Sequence, residues 1–157
     1  MSRRERWSAV RAAEIIAEHA QREGAMLPIL HALQETFGYV DAEAVPLIAD
    51  ALNLSRAEVH GCITFYHDFR SAPAGRRLVK LCRAEACQAQ GSERLHGEIL
   101  SRLGVDWHGT SADGAVTVEP VYCLGLCATG PAALVDEEPI ARLTADVLAT
   151  ALAEARS

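Results

Sequence analysis

The sequence predicts an α+β protein, with a helical first half followed by a compact α/β half, and three observations carry that reading. Apolar residues recur at helical spacing through residues 5–65 with no strand signal among them, the period shortens toward two after Gly75, and Pro73-Ala74-Gly75 punctuates the change. The expected units are therefore residues 1–75 and 76–157.

The first predicted helix covers residues 5–23, with Trp7, Val10, Ile15 and Ile16 on a broad apolar side and Gly24 at its end. The second covers 28–37, where Pro28 suits the first turn, Ile29, Leu30, Leu33 and Phe37 share a face, and Gly38 stops it. The third spans 42–52, with Val45, Ile48, Ala49 and Leu52 inward; Asp41 suits a cap, while Pro46 suits a later first turn. Ser55 and Glu58 match a capping box for the fourth helix, Arg56 to Phe65, with Leu54 and Val59 spaced for a hydrophobic staple.

In the second half, Leu78, Val79 and Leu81 form a strand-like run that delivers the chain to Cys82. A helix with Leu95, Ile99 and Leu103 follows, with Ser92 as its expected cap and Gly104 as its stop. Asp113-Gly114 is a turn signal ahead of the alternating Val116 and Val118. Ala132–Val135 reads as a strand, Glu137–Pro139 as a turn, and Thr144 as the cap of a last helix with Val147, Leu148 and Leu152 inward. Alternating strands and helices over this length predict a compact α/β sandwich.

The composition narrows the function. The 157 residues are 50% hydrophobic, enough to bury a core, and the formal charge is −6. Residues 1–75 hold 7 basic and 10 acidic side chains and residues 76–157 hold 8 and 11, so neither half has the basic surplus that a nucleic-acid surface needs. No stretch approaches the roughly 18 apolar residues of a membrane span, and residues 1–24 lack the apolar core of a secretory signal, so a cytoplasmic protein with no membrane insertion is expected. Five cysteines in such a chain point to ligation or buried free thiols instead of a secreted disulfide framework.

Four of the cysteines fall into two pairs, Cys82-Arg83-Ala84-Glu85-Ala86-Cys87 and Cys123-Leu124-Gly125-Leu126-Cys127. Each pair follows a predicted strand, so loops at one sheet edge can bring four thiolates together. Soft thiolates match iron and sulfide, and Gly125 or Gly130 can let a backbone amide donate to a sulfur. Spacing alone also admits structural zinc, which more often takes tight C-x₂-C knuckles, or buried redox-sensitive thiols. Cys62, among Val59, Ile63 and Phe65, reads as a packed free thiol outside the ligand set.

These residues also carry a family resemblance. Residues 82–87 together with Glu119-Pro120-Val121-Tyr122-Cys123-Leu124-Gly125-Leu126-Cys127-Ala128-Thr129-Gly130-Pro131 resemble the thioredoxin-like [2Fe–2S] ferredoxin family. That family includes a small subunit of respiratory NADH dehydrogenase, a subunit of NAD-reducing hydrogenases and the gamma subunit of NAD-dependent formate dehydrogenases. The likeness runs from about Leu27 to Leu148 and includes Gly38-Tyr39-Val40 and Val59-His60-Gly61-Cys62-Ile63-Thr64-Phe65-Tyr66. At Cys62 and Ile63 the family often has valine or alanine, a departure that touches packing and not ligation. Cys82-Arg83-Ala84-Glu85-Ala86-Cys87-Gln88-Ala89 and Thr64-Phe65-Tyr66-His67-Asp68-Phe69-Arg70 look most similar to the formate dehydrogenase gamma subunit.

The resemblance implies a four-helix N-terminal portion followed by a thioredoxin-like domain that holds one [2Fe–2S] cluster on Cys82, Cys87, Cys123 and Cys127. It implies docking on a beta subunit that binds FMN and NAD, further iron–sulfur clusters, and a large alpha subunit oxidising formate at a molybdenum or tungsten pterin. The chain would carry electrons without a catalytic residue of its own. The alternatives are the equivalent subunit of NADH dehydrogenase or of NAD-reducing hydrogenase, and, outside electron transfer, a zinc-bound structural adaptor whose Trp7, Phe65, Tyr66 and Phe69 fill core or interface.

Other residues fit blander roles. His19, His31, His60, His67, His96 and His108 form no compact ligand set, His108 suits a solvated position, and Asp136-Glu137-Glu138 suits a solvated turn. No dinucleotide or phosphate glycine loop is present in the sequence, which points flavin and nicotinamide binding to partners.

Overall fold

The computed structural model describes residues 5–154, and the chain divides into two compact units, Met1–Pro73 and Ala74–Ser157. The described residues form a mixed α/β protein of seven α-helices and a four-stranded sheet.

The first unit holds α1 (Ala9–His19), α2 (Met26–Phe37), α3 (Ala44–Leu52) and α4 (Arg56–Phe65). Ser8 caps α1 by accepting the Arg11 N–H, and Ala12, Ile15 and Ile16, spaced three and four apart, turn inward. Ile29, Leu30, Leu33 and Phe37 of α2 meet them, and Trp7 sets its ring edge against Phe37 at 5.0 Å. Gly38 ends α2 in the left-handed region at φ 86°, which costs glycine nothing. On α4, Ser55 and Glu58 make the full capping box, but Val59 is the helix's only buried residue.

Several expectations for this unit change, and Val10, expected on the apolar side of the first helix, is 73% exposed. The helix α1 stops at His19, because the chain already turns over residues 20–23, before Gly24 is reached. Asp41 does not cap α3: its carboxylate accepts the Glu43 N–H and the Tyr39 hydroxyl, holding the turn ahead of a helix that starts at Ala44. Phe65 and Tyr66 are 73% and 43% exposed, so only Phe69 and Trp7 of the four aromatics join this core.

In the second unit β1 (Arg77–Cys82) lies between β2 (Val116–Val121), parallel, and β3 (Ala133–Val135), antiparallel, with β4 (Glu138–Ile140) on the outer edge of β3. The parallel pairing requires a crossover, supplied by α5 (Glu85–Ala89) and α6 (Ser92–Leu103); α7 (Ala145–Glu154) follows β4. Val79, Leu81, Ile99, Val118, Val135 and Leu148 form the centre of its core. Thr144 caps α7 through the Val147 N–H at 3.1 Å.

Here too the structure corrects the reading. Gly91, at φ 83°, takes the cap position of α6, and Ser92 becomes its first helical residue, fully buried. The turn expected at Glu137–Pro139 sits at Asp136-Glu137, and Glu138–Ile140 is a strand that tolerates Pro139 because only β3 pairs with it. Asp136 is no solvated acid: at φ 57° it accepts the Leu78 N–H at 2.9 Å and pairs with Arg77 at 2.9 Å, clasping the turn to β1. Among the described residues no helix is long and apolar enough to cross a membrane.

Candidate metal centre

The first thiol pair grows out of the central strand. Cys82 ends β1, where its N–H donates to the Ala132 carbonyl at 3.0 Å and the following Arg83 N–H donates to Val121 at 2.7 Å. The Ala84 carbonyl then accepts the Cys87 and Gln88 amides, both at 3.0 Å, starting α5 with Cys87 in its first turn. Cys82 and Cys87 are each 2% exposed and pack with Ala132, walled by Ala84, Val121, Leu124 and Leu126. Burial, then the neighbouring Cys82 thiol, pushes the Cys87 thiol up, with the Ala132 amide opposing them.

The second pair lies on the loop beyond β2. Cys123 sits at φ 111°, a region that β-carbon-bearing residues avoid, and Gly125 at φ 77° completes the turn. The conformation aims the Gly125 N–H at the Cys123 sulfur, 3.4 Å away, and brings the Cys123 and Cys127 sulfurs to 3.7 Å. Cys127 opens a single 3-10 turn, Cys127–Thr129. Both thiols are exposed. The Gly125 amide, then Cys127, holds Cys123 below the usual thiol range, whereas the hydrogen bond with Cys123 and its charge raise Cys127. The surroundings of Cys123 thus favour its thiolate, the form that binds metal.

The two pairs adjoin. A β-carbon at Gly130 would lie 3.2 Å from the Cys87 sulfur, and the charges of Cys82 and Cys127 both act on Cys87. The thiols are arranged as a buried pair beside an exposed pair; among the described residues no three His, Cys, Asp or Glu side chains converge on one ion-sized point. The donor set fits an iron–sulfur cluster: four free thiols in two pairs, a backbone amide already directed at a sulfur, an apolar wall, and a glycine where a side chain would strike Cys87. Cys62 belongs to the other unit, packed on its core with burial raising its thiol.

Sequence reasoning passed over two groups near these loops. Arg83 stands over the Trp107 ring at 5.0 Å, and Trp107 meets His96 edge-on at 5.5 Å. His96 is 3% exposed with no hydrogen-bond partner for Nε2; burial, then Arg83, lowers its pKa to about 4, with Glu93 opposing. Its helical spacing with Ser92 and Ile99 was the one signal in the sequence. Gln90 is the other, and its isolated amide carries no motif.

The model of thioredoxin-like [2Fe–2S] ferredoxins matches residues 12–156, nearly the whole chain. This chain belongs to that family. The family's cofactor is a [2Fe–2S] cluster. Among its relatives, a subunit of the NADH-quinone oxidoreductase of Pseudomonas aeruginosa is 35% identical over 114 residues, 73% of this chain and 69% of the relative. The HndA subunit of the NADP-reducing hydrogenase of Solidesulfovibrio fructosivorans is 28% identical over 141 residues, 90% of this chain and 82% of its own. A chain of an air-oxidised NAD+-reducing [NiFe]-hydrogenase superposes with a TM-score of 0.68 at 24% identity, over 86% of this chain and 24% of that longer chain. This last likeness speaks to the fold.

Proposed function

We propose that Cys82, Cys87, Cys123 and Cys127 hold one [2Fe–2S] cluster and that the chain is the electron-transfer subunit of an NAD(P)-linked oxidoreductase of the NADH-quinone oxidoreductase or NAD-reducing hydrogenase type. The observation that carries this reading is the buried Cys82/Cys87 pair adjoining a Cys123/Cys127 pair whose sulfurs lie 3.7 Å apart, in a chain of this family. When bound, such a cluster accepts and releases one electron at a time. The chain's own residues supply four sulfurs, a Gly125 N–H that withdraws charge from Cys123, and an apolar wall that keeps water from Cys82 and Cys87. The exposed pair leaves one side of the site open to a partner.

The partners proposed are a flavin subunit that binds FMN and NAD, together with subunits carrying further iron–sulfur clusters. Support comes from the relatives, each a subunit of a larger oxidoreductase, and from the exposed Phe65, Tyr66 and Tyr122, aromatics of the kind that interfaces bury. Protein purified without oxygen should contain about two irons and two acid-labile sulfides per chain and give a rhombic paramagnetic signal on reduction. Colourless protein with a single zinc would end the proposal.

A second reading within the same class, the gamma subunit of an NAD-dependent formate dehydrogenase, rests on residues 82–89 and 64–70. Its partner would be a large formate-oxidising subunit with a molybdenum or tungsten pterin. The large subunit that co-purifies with the tagged chain decides, since pterin, nickel and quinone-reducing activity belong to different complexes.

A further inference from the structure

One side chain spans both cysteine loops. Gln90 caps the C-terminus of α5, where its backbone N–H donates to the Cys87 carbonyl at 3.1 Å. Its side-chain amide donates to the Ala86 carbonyl at 2.9 Å and to the Cys127 carbonyl, 37 residues away in sequence, at 3.1 Å. The two hydrogens of that amide are thus divided between the loops, one each. Gly130 lies against the same group: a β-carbon there would stand 2.8 Å from Gln90 Nε2, so the bridge fits because residue 130 has no side chain.

We propose that Gln90, seated against Gly130, is a positioning residue that sets the spacing between the Cys82/Cys87 and Cys123/Cys127 loops before a cluster is assembled. The inference rests on the ligand assignment proposed above. The sheet fixes Cys82, but Cys123 and Cys127 lie beyond the end of β2 on a turn, where their placement depends on local bonds. Both ends of the bridge are backbone carbonyls of the loops themselves, so the two hydrogen bonds of Gln90 act on the spacing of the ligand loops. A donor set held loosely loses the preorganisation that metal ligands need.

The test compares Gln90→Met, which keeps length and removes the donors, and Gln90→Glu, which turns acceptor atoms toward two carbonyls, with the control Gln88→Met. Gln88 donates to the Arg83 carbonyl at 2.7 Å inside the first loop only. In the metal-free full-length chain, both Gln90 variants should speed amide hydrogen exchange across residues 127–130 by about three- to tenfold, the change expected for one hydrogen bond of ordinary net strength. The control should leave those residues unchanged. In the iron-loaded chain the Gln90 variants should shift the g-values of the reduced signal and release iron to a chelator faster by a similar factor. Unchanged exchange at 127–130 in both Gln90 variants, or an equal effect of the control, overturns the proposal. Wild-type protein that takes up no cluster would defeat the ligand assignment instead, while exchange in the metal-free chain would still decide the bridge.

Discussion

Cys62 and Cys87 are both cysteines on helices, and what surrounds them separates their roles. Cys87 faces Cys82, the Ala132 amide and Gly130, whereas Cys62 packs on the core of the first unit. Cys87→Ser should therefore lower the iron retained per chain severalfold. Cys62→Ser should keep the iron and cost about 1 kcal/mol in urea unfolding, the penalty of placing a hydroxyl where a half-buried thiol packed. Equal iron loss in the two variants would sink the assignment. His96 offers an independent test. Its pKa is depressed from 6.5 to about 4 in the folded chain, so the unfolded chain binds the proton more readily. The stabilisation is complete above about pH 6.5 and is lost as pH falls toward 4, on the order of 3 kcal/mol in all. Urea midpoints of the wild type should fall through that window, and those of His96→Phe should lose this component. The four ligand candidates were readable from spacing and residue type. The lowered pKa of His96 was not, since it depends on burial and then on Arg83.

At the level of elements, local chemistry and tertiary context divide the credit. The capping box of α4 was legible because Ser55 and Glu58 act within one turn of each other, and Ser55→Ala should destabilise the first unit by about 1 kcal/mol, read by thermal or urea unfolding. Strand β4 escaped notice because three residues, one of them Pro139, carry no alternation; its partner β3 makes it a strand. Helix α5 was missed for a related reason, since five residues barely exceed one turn. At the entrance to β1, a β-carbon on Gly75 would come within 3.0 to 3.1 Å of the Gly114 and Val116 backbone, and Gly75 also donates to Thr117 Oγ1 at 2.7 Å. Backbone atoms on both sides cannot swing aside, so Gly75→Ala should cost about 1–3 kcal/mol of stability in the second unit, measured by urea unfolding with fluorescence detection.

For the molecule as a whole, each unit has its own buried core, one centred on Ile29, Leu30 and Leu33 and the other on Val79, Leu81 and Ile99. A fragment of residues 74–157 is therefore expected to fold and, on reconstitution, to give the same reduced-cluster spectrum as the full chain. Loss of residues 1–72 should instead weaken association with the proposed flavin subunit, measured by co-purification. The isolated chain should show no turnover of formate, hydrogen or NADH, because the proposed function gives it a carrier and leaves substrate chemistry to its partners. Measurable turnover without partners would contradict that division of labour.

The helix periodicities, the change of pattern near Gly75, the capping box at Ser55 and the two cysteine spacings are all written in the order of residues. Each is a relation between residues a few positions apart, and short-range geometry carries it. Folding in three dimensions was needed to enclose Cys82 and Cys87 while Cys123 and Cys127 face outward, to clasp Asp136 to β1, and to bring Gln90 to the Cys127 carbonyl. Those facts join residues dozens of positions apart, and the packing that brings them together has no local signature.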